Sequence, residues 1–140
     1  MKKGTLIRGL ICVIGICSLF GLQVHAESEA TVRIYADDDF VASGSVRTLG
    51  SQEADRYASM SGQVYAHSKK NATFGIYFLK SNGDWVLSGT GHTCKPGDSF
   101  GKQARHGSGN YAYLRIVAGN DMNGWGNKGA IGIGTITGQD

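Results

Sequence analysis

Apolar and polar residues alternate in short runs along most of the chain, and glycine, asparagine and proline punctuate the runs. The clearest case is Ala72–Thr90, two β-rich runs on either side of Asn82-Gly83. In an extended strand successive side chains point to opposite faces. Asn-Gly is a strong hairpin signal, because a two-residue type I′ turn needs positive φ at both central positions. With Asn82 and Gly83 as the loop, Lys80 faces Trp85, Leu79 faces Val86 and Phe78 faces Leu87. One face then collects Phe74, Ile76, Phe78, Trp85 and Leu87, and we take it as the core face. The other carries Thr73, Tyr77, Leu79, Val86 and Ser88. This register also sets Lys80 beside Trp85, within reach of a cation–π contact.

The same alternation predicts further strands. Thr31–Tyr35 puts Val32 and Ile34 on one side. Phe40–Leu49 reads as a strand weakened or bulged at Gly44. Gly50–Asp55 is the one place where a short helical turn fits. Arg56–His67 sets Met60 and Val64 against an outer face of Tyr57, Ser59, Ser61, Gln63 and Tyr65. His92 and Cys94, two apart, share a face, and Ser99–Arg105 reads as a further short strand. In Tyr111–Ala118, Ala112, Leu114 and Ile116 face in while Tyr111, Tyr113 and Arg115 face out. Ala130–Thr137 closes the series, with Ile131 and Ile133 on one face and Gly132 and Gly134 on the other. No window has sustained helical periodicity. Seven or eight short strands with turns between them predict an all-β fold: one antiparallel β-sandwich, with a small β-barrel as the alternative.

The first 26 residues read differently. Lys2, Lys3 and Arg8 precede an apolar run, and Val24-His25-Ala26 has the small-x-small pattern of a cleavage site. This is the layout of a secretory signal peptide, and the run is short for a membrane span. We therefore expect a leader over 1–26 and one secreted domain over 27–140, with no membrane span after cleavage. The chain has fourteen Lys and Arg against eleven Asp and Glu. Three of the basic residues lie in the leader, so the expected mature chain is neutral. That balance argues against nucleic acid as a partner, which calls for a basic surplus. Cys12 and Cys17 also lie in the leader, leaving Cys94 without an internal disulfide partner.

Candidate chemistry is sparse. Gly124-x-Gly126-x-x-Gly129 matches a dinucleotide fingerprint in letters, but the residues after it read as a strand, where that motif needs a helix. Trp125 stands among Asn120, Asp121, Asn123 and Asn127. An aromatic face edged by amides and a carboxylate suits a sugar; the plainer reading is that Trp125 caps the end of the sandwich. Asp37-Asp38-Asp39 is either a hard-cation site or a solvated turn. Asp121-x-Asn123 is a fragment of a calcium loop without its terminal glutamate. His92 and Cys94, with His67 or His106, have ligand chemistry, yet a lone cysteine in a strand is usually a small buried hydrophobe. No G-x-S-x-G or H-E-x-x-H occurs. No catalytic residue, resident metal or cofactor is assigned.

The nine residues Tyr65–Thr73 resemble a stretch of the lactococcin 972-like secreted bacteriocins; the tryptophan-rich ends of that family are missing here. The resemblance implies an antimicrobial role. The reading preferred from the residues is a secreted, non-enzymatic bacterial binding protein. Its expected ligand is a glycan or cell-wall polymer, with a protein partner next. The expected ligand-binding residues are Trp125, Asn120, Asp121, Asn123, Asn127, Tyr111, Tyr113, Tyr57 and Tyr65. A bacteriocin-like or toxin-like factor is the alternative, and a small hydrolase using Cys94 or paired aspartates the third.

Overall fold

The structure is a computed structural model that describes residues 27–50, 55–123 and 127–139. The expected leader, most of the expected helical turn at Gly50–Asp55, and Trp125 lie outside these residues. Among the described residues ten strands follow one another: β1 (Glu27–Ile34), β2 (Phe40–Ala42), β3 (Val46–Arg47), β4 (Arg56–Val64), β5 (Ala72–Leu79), β6 (Trp85–Leu87), β7 (His92–Cys94), β8 (Ser99–Gly107), β9 (Tyr111–Ala118) and β10 (Gly132–Gln139). Every pairing is antiparallel. The sheets do not close into a barrel, and the fold is the expected all-β sandwich.

One layer runs β1-β10-β4-β8. The other is built on β5 and β9, which pair from Ala72↔Ala118 to Phe78↔Ala112. Its two margins are each shared by a pair of short strands. β6 and β7 take successive parts of the free side of β5, and β2 and β3 do the same along β9. β3 also touches β10 through Arg47↔Gln139, joining the layers at one end.

The break between β2 and β3 falls at Gly44. Ala42 and Val46 are four positions apart along the chain, while their partners Arg115 and Ala112 are three apart. The extra residue is a bulge, as the glycine suggested. Ser43 ties it down, with its N–H donating to Leu114 O at 2.8 Å and its Oγ accepting from Leu114 N–H at 2.9 Å.

Alternation selects the core. Phe74, Ile76, Phe78, Ala112, Leu114 and Ile116 come from one layer, and Ile34, Ala58, Met60, Val64 and Ile136 from the other; all are buried. Phe100 of β8 closes the edge against Phe74 with an edge-to-face contact at 5.1 Å. Each large apolar side chain so buried contributes ~1.5–3 kcal/mol. The glycine face of β10 points inward. A methyl group on Gly134 would lie 2.7 Å from Leu114 Cδ2 and 3.0 Å from Ile116 Cδ1, so glycine is what lets the two layers approach here.

The central hairpin corrects one expectation. Observed pairs are Tyr77↔Leu87, Phe78↔Val86 and Leu79↔Trp85, one residue off the expected register. Lys80 therefore bonds across to Asp84, donating N–H to its carbonyl at 2.8 Å, and does not face Trp85. The loop is Ser81-Asn82-Gly83. Only glycines have positive φ among the described residues, Gly83 at 89°, so Asn82 does not take the conformation a type I′ turn requires. A three-residue loop ending in a left-handed glycine results, and Asn82 Oδ1 accepts from Asp84 N–H at 3.0 Å. The shift turns Trp85 and Leu87 out of the core and onto the outer face.

Candidate functional site

The outer face of β5 and β9 is where exposed aromatic surface gathers. Tyr77 and Tyr113 are directly paired across the two strands. Their rings lie parallel at 5.2 Å between centroids and 4° between planes. Trp85, turned outward by the hairpin shift, reaches across to Tyr113 at 4.7 Å, with its plane at 68° to the phenol. Parallel and edge-to-face contacts of this kind hold rings in place, each worth ~0.5–1.5 kcal/mol beyond area burial. Trp85 remains 38% exposed, and Tyr111, two residues before Tyr113 on β9, is 44% exposed. Two residues along, the Arg115 guanidinium sits 4.2 Å above the Phe40 ring and extends the strip onto β2. The result is a line of π-surface across β6, β5, β9 and β2.

Electrostatics keeps the Tyr113 hydroxyl uncharged. Burial raises the Tyr113 hydroxyl above the ordinary phenol value, Tyr77 adds to the rise, and Arg115 offsets part of it. Tyr113 therefore stays a protonated hydrogen-bond donor at physiological pH.

At the other end of the same strands lies a polar pocket of about 320 Å3, lined by Lys69, Lys70, Asn71, Gly119, Asn120, Asp121 and Asn127. Three chain segments build it, and backbone bonds tie them together. Gly119 N–H donates to Asn71 O at 2.8 Å, and Lys69 N–H to Gly129 O at 3.0 Å. Asn71 Nδ2 donates to Asn120 Oδ1 at 2.7 Å. Thr73 Oγ1 donates to Gly119 O at 2.9 Å, anchoring the loop to the sheet. Buried Ser68 donates to Lys70 O at 2.7 Å and accepts from Ile131 N–H at 3.0 Å, which fixes the turn carrying both lysines. Asp121 is turned to its own loop, accepting from Asn123 N–H at 2.8 Å. Between pocket and strip, buried Met122 caps the sheet over Gly75 and Gly91.

The expected site residues divide among three places. Tyr111 and Tyr113 stand on the aromatic strip. Asn120, Asp121 and Asn127 line the pocket, with Asn123 beside it. Tyr57 on β4 and Tyr65 just after it stand in the opposite layer, where Tyr57 contacts His106 at 5.7 Å and Tyr65 stacks on His67 at 5.8 Å. They share no surface with the other two tyrosines. Trp85, Tyr77, Lys69 and Lys70 were not among the expected residues. A three-residue loop at Asn82-Gly83 is the signal that would have turned Trp85 outward.

The other candidates resolve locally. Cys94 is buried, and burial, with Asp98 adding to it, raises its thiol above the ordinary value. His92 lies against the Phe100 ring at 4.4 Å. Asp38 accepts from Tyr35 N–H at 2.9 Å within its turn. Among the described residues no group of three or more His, Cys, Asp or Glu could hold a metal ion. No helix among them is long and apolar enough to cross a membrane.

Fold and site define an antiparallel β-sandwich with an aromatic strip and a polar pocket on one outer face. No protein-family model matches the chain, and no curated protein matches it significantly.

Proposed function

We propose that the protein is a secreted, non-enzymatic binding protein whose ligand is a glycan or cell-wall polymer. The observation that carries this is the cluster of exposed Trp85 with half-buried Tyr77 and Tyr113, locked ring against ring on the outer face of a sheet. Sugar rings have apolar faces and polar edges. An aromatic surface flanked by hydroxyls and amides matches both, and a site already ordered costs little side-chain entropy on binding. The strip is open along its length, which suits a polymer better than an enclosed small molecule. Export over the leader at 1–26 would put this face in contact with envelope polymers.

The test is retention of the protein on purified cell-envelope polysaccharide. Retention that Trp85→Ala reduces by about 30-fold, with the fold intact by circular dichroism, supports the reading; central aromatic anchors contribute on that scale. Retention by envelope proteins alone, surviving polysaccharide digestion, contradicts it and favours a protein partner.

A further inference from the structure

The polar pocket differs from the strip in charge, and that difference points to the kind of polymer. Lys69 and Lys70 both line it, and neither has a carboxylate partner among the described residues. The remaining acidic group, Asp121, is engaged with its own loop through Asn123 N–H. The pocket thus carries more positive than negative charge over a floor of amides from Asn71, Asn120 and Asn127. Its walls are cross-tied by four hydrogen bonds between separate segments: Gly119 to Asn71, Lys69 to Gly129, Asn71 to Asn120, and Ile131 to Ser68. A rigid hollow of about 320 Å3 has room for one charged group on a sugar ring and its neighbouring hydroxyls.

Asn71 immediately precedes β5, and its side chain falls on the same side of the strand as Thr73 and Tyr77. Pocket and strip are therefore separated by about 20 Å along β5, at ~3.3 Å per residue. One extended chain can touch both.

We infer that the pocket recognises an oxyanion carried by the polymer, so that the ligand is an anionic glycan. Lys69 and Lys70 pair with the charge, and the three asparagines hydrogen-bond the hydroxyls around it. The shared chemistry is a singly charged oxyanion, either the carboxylate of a uronic-acid polymer or the phosphodiester of a polyol-phosphate polymer. This inference rests on the glycan-binding reading of the same face.

The experiment compares equilibrium binding of the protein to polygalacturonate, its fully methyl-esterified form, and poly(glycerol phosphate), at fixed ionic strength. Each polymer is tested against the wild type, Lys69→Ala/Lys70→Ala and Trp85→Ala. The expected result is that an anionic polymer binds about fivefold or more tightly than the neutral ester, and that the double lysine change removes this preference, in keeping with two partly exposed ion pairs. A preference for polygalacturonate identifies carboxylate as the group read, and one for poly(glycerol phosphate) identifies phosphate. Trp85→Ala is expected to weaken charged and neutral polymers alike. Equal binding of acid and ester, lost in Trp85→Ala, overturns the oxyanion inference and leaves glycan binding standing. An anionic preference that survives loss of both lysines overturns the assignment to this pocket. Binding of none of the three polymers removes the inference together with the reading beneath it. Lys69→Gln/Lys70→Gln, which keeps hydrogen-bonding capacity, separates lost charge from lost side-chain length.

Discussion

On the outer side of the β1-β10-β4-β8 layer stand Thr31, Thr135, Ser61 and Gln63, with Tyr57 and Tyr65 set apart from each other, each against a histidine; on the outer side of the β5-β9 layer stand Tyr77, Tyr113, Trp85 and Arg115, the three rings packed on one another. The inner sides are alike, each a set of aliphatic and aromatic residues closed against the other. Both layers obey the same period of two, and the fold needs only their inner halves. Thr31 and Thr135 face each other with hydroxyls 3.0 Å apart, a modest cross-strand pair of the kind that stabilises a wetted sheet. The continuous cluster of Tyr77, Tyr113 and Trp85 on the opposite face goes beyond what a wetted sheet requires, since apolar rings gather where a surface meets something else. The contrast separates what maintains the sandwich from what the sandwich presents.

Substitutions on the two kinds of face should separate stability from binding. Phe74→Ala empties the centre of the core and should cost ~3–5 kcal/mol in denaturant unfolding. Trp85→Ala should instead cost ~2 kcal/mol or more in glycan affinity, as interface anchors do. Its stability cost should be confined to the lost ring contact, ~0.5–1.5 kcal/mol. Gly134→Ala forces a methyl group against Leu114 and Ile116, and should cost ~1–3 kcal/mol with affinity unchanged. Thr135→Ala removes the pair with Thr31 and should cost only ~0.2–1 kcal/mol, again without affecting binding.

A smaller effect is expected with pH. The Cys94 thiol is raised by burial and by Asp98, so the folded state holds its proton after the unfolded chain has released its own. Stability is then fully present below the ordinary thiol value and falls as pH rises above about 8.5. Tyr113 adds a second decline above about pH 10, for the same reason and with the same sign. Urea unfolding at stepped alkaline pH, with Cys94→Ala as the reference, measures the thiol's share.

How much was legible in the chain follows from how local each decision is. Tyr111–Ala118 was readable because its first six residues, Tyr111–Ile116, alternate without interruption, fixing Leu114 and Ile116 inward and Tyr113 outward. The Gly44 bulge was readable because a glycine inside an alternating run has few other uses. Trp85 was not, because its side of the sheet depends on whether Asn82 takes positive φ, which the letters Asn-Gly leave open. The pocket was half legible. Asn120, Asp121 and Asn127 share a loop with an evident polar pattern, but Lys69 and Lys70 come from a distant turn that only the β5–β9 pairing brings alongside. Tyr57 and Tyr65 resemble Tyr111 and Tyr113 in pattern; layer membership, set by long-range pairing, divides them.

The most direct measurement is a two-dimensional amide and indole NMR titration of the protein with a soluble glycan. Shifts should gather on the Trp85 indole, Tyr77, Tyr113 and Asn120, leaving Ser61, Gln63 and Thr135 unmoved. Shifts gathered on the threonine and serine side, or around Tyr57 and Tyr65, would contradict the assignment of binding to the aromatic face.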